Sequence, residues 1–144
     1  MAIITIMVYT DTGLLAYEAR FERCEINCDL VAGFVTAINQ FGCELFPENT
    51  LCDILFSDTH MLMEPRPIGD STVTFLIIHD TFEDHDQIYR IIDKIHEELK
   101  KNYASVFGKD SVNRGALAPL DEFIVKLFEN ENRPENPFTC VYDD

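Results

Sequence analysis

The sequence predicts an α+β domain: one five-stranded antiparallel sheet with helices on its faces, in the order β-β-α-β-β-β-α-α. Three observations lead there. Short β-branched runs are separated by turn signals, and two later segments repeat apolar residues at helical spacing. A hydrophobic fraction of 47% in 144 residues is enough for one packed core and too short a chain for two ordinary ones.

The first run, AIITIMVY (2–9), is rich in β-branched residues, and TDTG follows as a turn. LLAYEARF (14–21) alternates as a partner strand, which makes a hairpin. Its first strand is apolar on both faces, as expected in the middle of a sheet. ERCEINCD is a polar connection, and Asp29 reads as the N-cap of a helix reaching Cys43. FPENT breaks that pattern, and Leu51–Ser57 follows as a strand with Cys52, Ile54 and Phe56 on one face.

SDTH is a second turn and Met61–Glu64 a short strand stopped by PRPIGD. Pro65 and Pro67 cannot donate ladder hydrogen bonds, which places them in a loop or at a sheet edge. TVTFLIIH (72–79) is apolar on both faces and is expected to be central. Asp84 and Gln87 have capping-box spacing and open a long helix. Ile88, Ile91, Ile92, Ile95, Leu99 and Tyr103 form its apolar face, Lys100 and Lys101 suit its negative end, and Phe107-Gly108 closes it. GKDSVNRG is a linker. A shorter helix runs from Pro119 to Glu129, with Leu120, Phe123, Ile124, Leu127 and Phe128 on its apolar side. Residues 1–129 thus read as one domain, and 130–144 as an acidic, Pro-containing tail, loosely ordered or strapped along the surface. The hairpin can join the three-stranded meander only if the first helix crosses a face of the sheet.

Composition narrows the function. Lys+Arg 11 against Asp+Glu 26 gives a net charge of −15, which argues against nucleic acid and anionic membrane surfaces as partners. No segment has the roughly 18 consecutive apolar residues needed to span a bilayer. MAIITIMVYT lacks a basic leader and a cleavage site, so it does not read as a signal peptide. The five cysteines (24, 28, 43, 52, 140) are an odd set, three of them within apolar stretches, which fits reduced thiols and a cytoplasmic protein.

The chemistry-bearing clusters are sparse. Cys24 and Cys28 have a spacing found in zinc knuckles, but Cys43 and Cys52 make a poor second pair inside apolar elements. HDTFEDHD (79–86) resembles a hard-metal or acid–base cluster, yet it stands where a central strand meets a helix N-terminus, the usual place for capping acids. No nucleophile elbow and no Gly-rich phosphate loop is present. The expectation is a protein with no catalytic residue, no cofactor and no metal, and not an enzyme. The alternative is a small-molecule or metal-binding sensor or enzyme using His79–Asp86.

The first helix is unusual. LVAGFVTAINQFGC (30–43) carries no charge in a chain where 26% of residues do. At 100° per residue, Leu30, Phe34, Ala37, Ile38, Phe41 and Leu45 share one arc, widened by Val31 and Val35, and are expected to face the core. Ala32, Gly33, Thr36, Asn39, Gln40 and Cys43 lie opposite as a small, neutral outer face. Gly33 disfavours a helix by roughly 1 kcal/mol relative to Ala, so close approach is expected there. Depletion of charge marks an interface core, and another chain is the expected cover.

LVAGFVTAINQFGCEL as first helix, LCDILFSD and HMLM as a following hairpin, and TVTFLIIHD before an Ile-rich helix together resemble the longin/roadblock group of profilin-like domains. The resemblance covers about residues 3–105 and is nearest to the small single-domain longin-like proteins of archaea, including the Asgard group. Roadblock domains and profilins begin with a helix, absent here, so longin is the nearer label. The resemblance implies a non-enzymatic platform that dimerises by setting first helices side by side and joining edge strands. It also implies binding or regulation of small Ras-like GTPases in trafficking or polarity. On this chain the implied interface is Ala32, Gly33, Thr36, Asn39, Gln40 and Cys43, with Cys52 and Asp53 on the edge Leu51–Ser57. The implied partners are a second copy or a related domain, and a small GTPase.

Overall fold

The structure, a computed structural model, describes residues 3–21, 27–48, 52–80, 84–107 and 114–133. Strands β1 (Ile3–Thr10), β2 (Leu15–Arg20), β3 (Asp53–Leu55), β4 (Thr59–Ile68) and β5 (Ser71–Asp80) form one antiparallel sheet in the order β2-β1-β5-β4-β3. Helix α1 (Cys28–Leu45) lies on one face; α2 (His85–Asn102) and α3 (Leu120–Asn130) pack on the other. This is the α+β sandwich expected from the sequence. Among the described residues no helix is long and apolar enough to cross a membrane.

Strand alternation distributes the core between the faces. Ile6, Val8, Phe75 and Ile77 join Ile88, Ile92, Ile95, Leu99 and Phe128 beneath the two later helices. Met7, Tyr9, Leu76 and Ile78 turn to the α1 side with Met61, Met63 and Val35. The central strands are therefore apolar on both faces. Phe21 stacks on Phe128 at 4.9 Å between ring centroids, and Tyr17 Oη donates to Asp121 Oδ1 at 2.6 Å, so α3 is tied to the N-terminal hairpin. Beyond α3, Glu131 accepts from Lys94 at 2.7 Å and Arg133 donates to Gln87 at 3.1 Å, which binds these residues to α2.

Several boundaries differ from expectation for local reasons. The N-cap of α1 is Asn27, whose side chain accepts from the Leu30 amide, and Asp29 falls in the first turn. Asp84 caps α2 by accepting from the Asp86 amide. That helix ends at Asn102, before Phe107, because Tyr103 leaves helical geometry and a 3-10 turn, Ala104–Val106, follows. Gly108 and the tail 134–144 lie outside the described residues.

The larger difference is β4, which runs on through Pro65 and Pro67 to Ile68. Ile68 and Ser71 close a two-residue hairpin in which Gly69 takes φ +59°, the geometry a type II′ turn needs at its first central position. Residues 64, 66 and 68 thus aim their amides at β5, whereas 65 and 67 aim outward, beyond the last β3 partner at Leu62. Among the described residues no strand stands where the prolines' missing donors would point. The Pro67 carbonyl accepts instead from buried His96 Nε2 of α2 at 2.7 Å.

The β1–β2 turn comes close to α1 at Thr36. Gly13 has φ +85°, and a Cβ there would lie 2.7 Å from Thr36 Oγ1 and 3.2 Å from its methyl. An added side chain would meet both a left-handed backbone and a clash. Gly13→Ala is expected to lower unfolding free energy by about 2 kcal/mol. Gly33→Ala, where a Cβ would meet nothing within 4 Å, should raise protomer stability by up to about 1 kcal/mol. Urea denaturation of both variants checks the contrast.

Candidate functional site

The faces of α1 are the reverse of those expected. Ala32 and Val35 are buried against the sheet, Val31, Thr36 and Asn39 are half-buried beside them, and the bulky arc points away. Leu30 is 71% exposed, Phe41 61% and Leu45 58%; Phe34, Ile38 and Phe46 are exposed as well. The sheet explains the inversion. Met7, Tyr9, Met61, Met63 and Leu76 already occupy the sheet face below the helix, and the turn at Gly13 crowds Thr36. A small helix face fits there and a row of phenylalanines does not. The close approach lies at Thr36, against the chain's own Gly13, and not at Gly33, where a Cβ would meet nothing within 4 Å of this protomer.

This placement divides the residues singled out from the sequence. Ala32 belongs to the protomer's interior, and Thr36 and Asn39 border the space beneath the helix. Gly33, Gln40 and Cys43 are exposed, as are Cys52 and Asp53 at the sheet edge formed by β3. Leu55 and Phe56, exposed in and just after β3, add further apolar surface. Sequence reasoning found the unusual helix but missed Leu30, Phe34, Ile38, Phe41 and Leu45 as its outward face. The available signal was the absence of charge from both arcs, which left hydrophobicity unable to choose between them.

The result is a helix apolar on its solvent side, charged there only near its ends at Asp29 and Glu44. Monomeric proteins rarely leave so many large apolar side chains together in water, and such patches mark association surfaces. Chemically the face offers shape and apolar area, with no donor set for a substrate.

Beneath α1 lies a cavity of about 270 Å³ lined in part by Tyr9, Val35, Thr36, Asn39, Met63 and Thr74. It falls just below the roughly 300–1,000 Å³ of ordinary ligand pockets. Burial pushes the Tyr9 hydroxyl from its ordinary 10.0 up to about 12, against the opposing effect of a hydrogen bond with Thr74. Between those values the unfolded chain ionises this phenol while the folded chain keeps it neutral, so folding stability falls as pH rises from 10 to 12. The loss should approach about 3 kcal/mol. Tyr9→Phe should remove that part of the slope, read from urea midpoints across the same pH range.

The acidic segment places Asp84 and Asp86 at the start of α2 as cap and first-turn acid. Residues 81–83 lie outside the described residues, as does Cys24; the side chain of Cys28 is likewise not described. His79 is buried at the end of β5, and His85 is exposed at the start of α2.

No protein-family model matches the chain, and no curated protein sequence matches it. Among solved structures it is similar to Myxococcus xanthus MglB, with a TM-score of 0.50 and 21% identity over 72% of this chain and 85% of that one. At that identity the likeness is one of fold, and the fold is longin/roadblock-like.

Proposed function

We propose that the chain is a non-enzymatic longin/roadblock-like adaptor that pairs with a second copy and serves small Ras-like GTPases as scaffold or regulator, in trafficking or polarity in the cytoplasm. One observation supports this above the rest: the outward stripe of Leu30, Phe34, Ile38, Phe41 and Leu45 on α1. A second copy is the occupant favoured by charge. Two chains of net charge −15 repel over most of their surfaces, and this neutral face is where they can meet without opposing carboxylates. Edge strand β3 is the second element that the family resemblance associates with dimerisation. The fold likeness to MglB supports the same class of protein.

Sedimentation velocity of the full chain, alone and with Ras-like GTPases loaded with GDP or a GTP analogue, tests the reading. The expected result is a dimer that binds one nucleotide state more tightly. A chain that stays monomeric at high concentration and binds neither state of any GTPase tried would overturn it.

A further inference from the structure

Three histidines from three elements meet where β5 ends and α2 begins. His60 is the second residue of β4, His79 the penultimate residue of β5 and His85 the first residue of α2. His60 and His79 are cross-strand partners, so their side chains share the face that carries α2. The ring centroids lie 5.0, 5.0 and 5.6 Å apart, and one nitrogen from each ring lies within 4.8 Å of the other two.

The surroundings assign the protons. The Asp80 carbonyl can only accept, so His79 Nδ1, 2.5 Å away, carries the hydrogen and its buried Nε2 holds the lone pair. The Asp53 carboxylate of β3 lies 3.6 Å from His60 Nε2, which has no hydrogen-bond partner among the described residues. A proton on that nitrogen faces the carboxylate and leaves the Nδ1 lone pair facing His85 Nε2 at 3.3 Å. An oxygen thus stands behind each of two imidazoles, hydrogen-bonded to His79 Nδ1 and, at 3.6 Å, facing His60 Nε2 from just outside hydrogen-bond length. That is how metal-ligating histidines are held. Nitrogens bound tetrahedrally to one zinc ion at about 2.0–2.1 Å lie about 3.3–3.4 Å from each other. The His60–His85 pair already has that separation, and the exposed His85 ring is able to turn to complete the set.

We propose that His60, His79 and His85 bind a divalent transition-metal ion of borderline softness, Zn²⁺ foremost, with Asp53 as the outer partner of His60 and water in the fourth position. An all-imidazole donor set excludes Mg²⁺ and Ca²⁺, which need oxygen. The ion would join β4 and β5 to the first turn of α2. Its three ligands lie on the opposite face of the sheet from the α1 stripe, and it shares only Asp53 with the β3 edge of the adaptor reading.

The test uses the full chain, stripped of metal by chelation, with Zn²⁺, Co²⁺ or Mg²⁺ added alone. Zn²⁺ at low micromolar concentration should raise Tm by about 5–10 °C and Mg²⁺ should not. Co²⁺ should give the visible absorption of a four-coordinate site without thiolate charge-transfer bands. His85→Ala, at an exposed position that Asp84 rather than His85 caps, should keep the circular dichroism spectrum and abolish both responses; His85→Gln should do the same. Asp53→Asn should weaken affinity about tenfold or more. No response in the native chain, thiolate bands, or undiminished binding by both His85 variants would overturn the proposal.

Discussion

Replacing both Phe34 and Phe41 by Asp is expected to abolish self-association while leaving the protomer folded. Both side chains stand on the outward arc of α1, 47% and 61% exposed in the single chain. A buried Phe removes about 150–250 Å² from water, so each is a strong contributor to any surface that covers it. The substitutions also place two carboxylates opposite their counterparts across a two-fold contact, on a chain already at −15. A weakening of the dimer by more than about 100-fold, some 3 kcal/mol, is the expected size. The Tm of the variant under dilute conditions should match that of the native protomer, because α1 is anchored to its own sheet through Val31, Ala32 and Val35. Sedimentation over a wide concentration range reads the first effect and a thermal melt the second. Unchanged association would place the contact elsewhere. A large fall in Tm would mean that these side chains support the protomer itself.

Phe128→Ala should have the opposite character, a severe loss of stability with no direct effect on the α1 surface. Phe128 is 1% exposed, lies parallel to Phe21 within 7°, and carries the Arg133 guanidinium 5.7 Å from its ring centre. Truncation removes the stack and leaves a cavity between α3 and β2, for which about 3–5 kcal/mol is expected. The urea midpoint should fall with little change in slope if α3 unfolds with the rest of the domain. A small shift, or a biphasic curve, would show that α3 is a separable appendage.

The two variants also separate what was legible in the sequence from what was not. Phe128 could be placed inside from the spacing of Leu120, Ile124 and Leu127, because the other side of that helix carries Asp121, Glu122, Lys126 and Glu129. Contrast between faces is what makes periodicity informative. The first helix has none, so its existence was legible and its orientation was not. That was settled by the bulk of Met7, Tyr9 and Met63 on strands far away in sequence. Pro65 and Pro67 misled for a related reason. A proline ends a strand only where its missing amide would have been received, and that depends on the register closed at Gly69 and on where β3 stops. The histidine cluster was legible in part: His79 and His85 lie in the segment the sequence marks as a metal-like cluster, but His60 joins them through strand pairing, a relation no local spacing encodes.

The sheet order has a consequence for how the chain is made. β1 is synthesised well before β5, yet it sits inside the sheet, hydrogen-bonded to β5, with Thr5 opposite Ile78 and Val8 opposite Phe75. Until β5 has been translated, the N-terminal hairpin exposes one whole edge of a strand made of Ile3, Ile6, Met7 and Val8. Closing that pair must overcome the entropy of a loop of about seventy residues, including α1 and the β3–β4 hairpin. Folding should therefore be paced by the β1–β5 encounter and be slow for a chain of this length. In that interval the unpaired β1 edge is the place where a nascent chain is most exposed to pairing with the wrong strand.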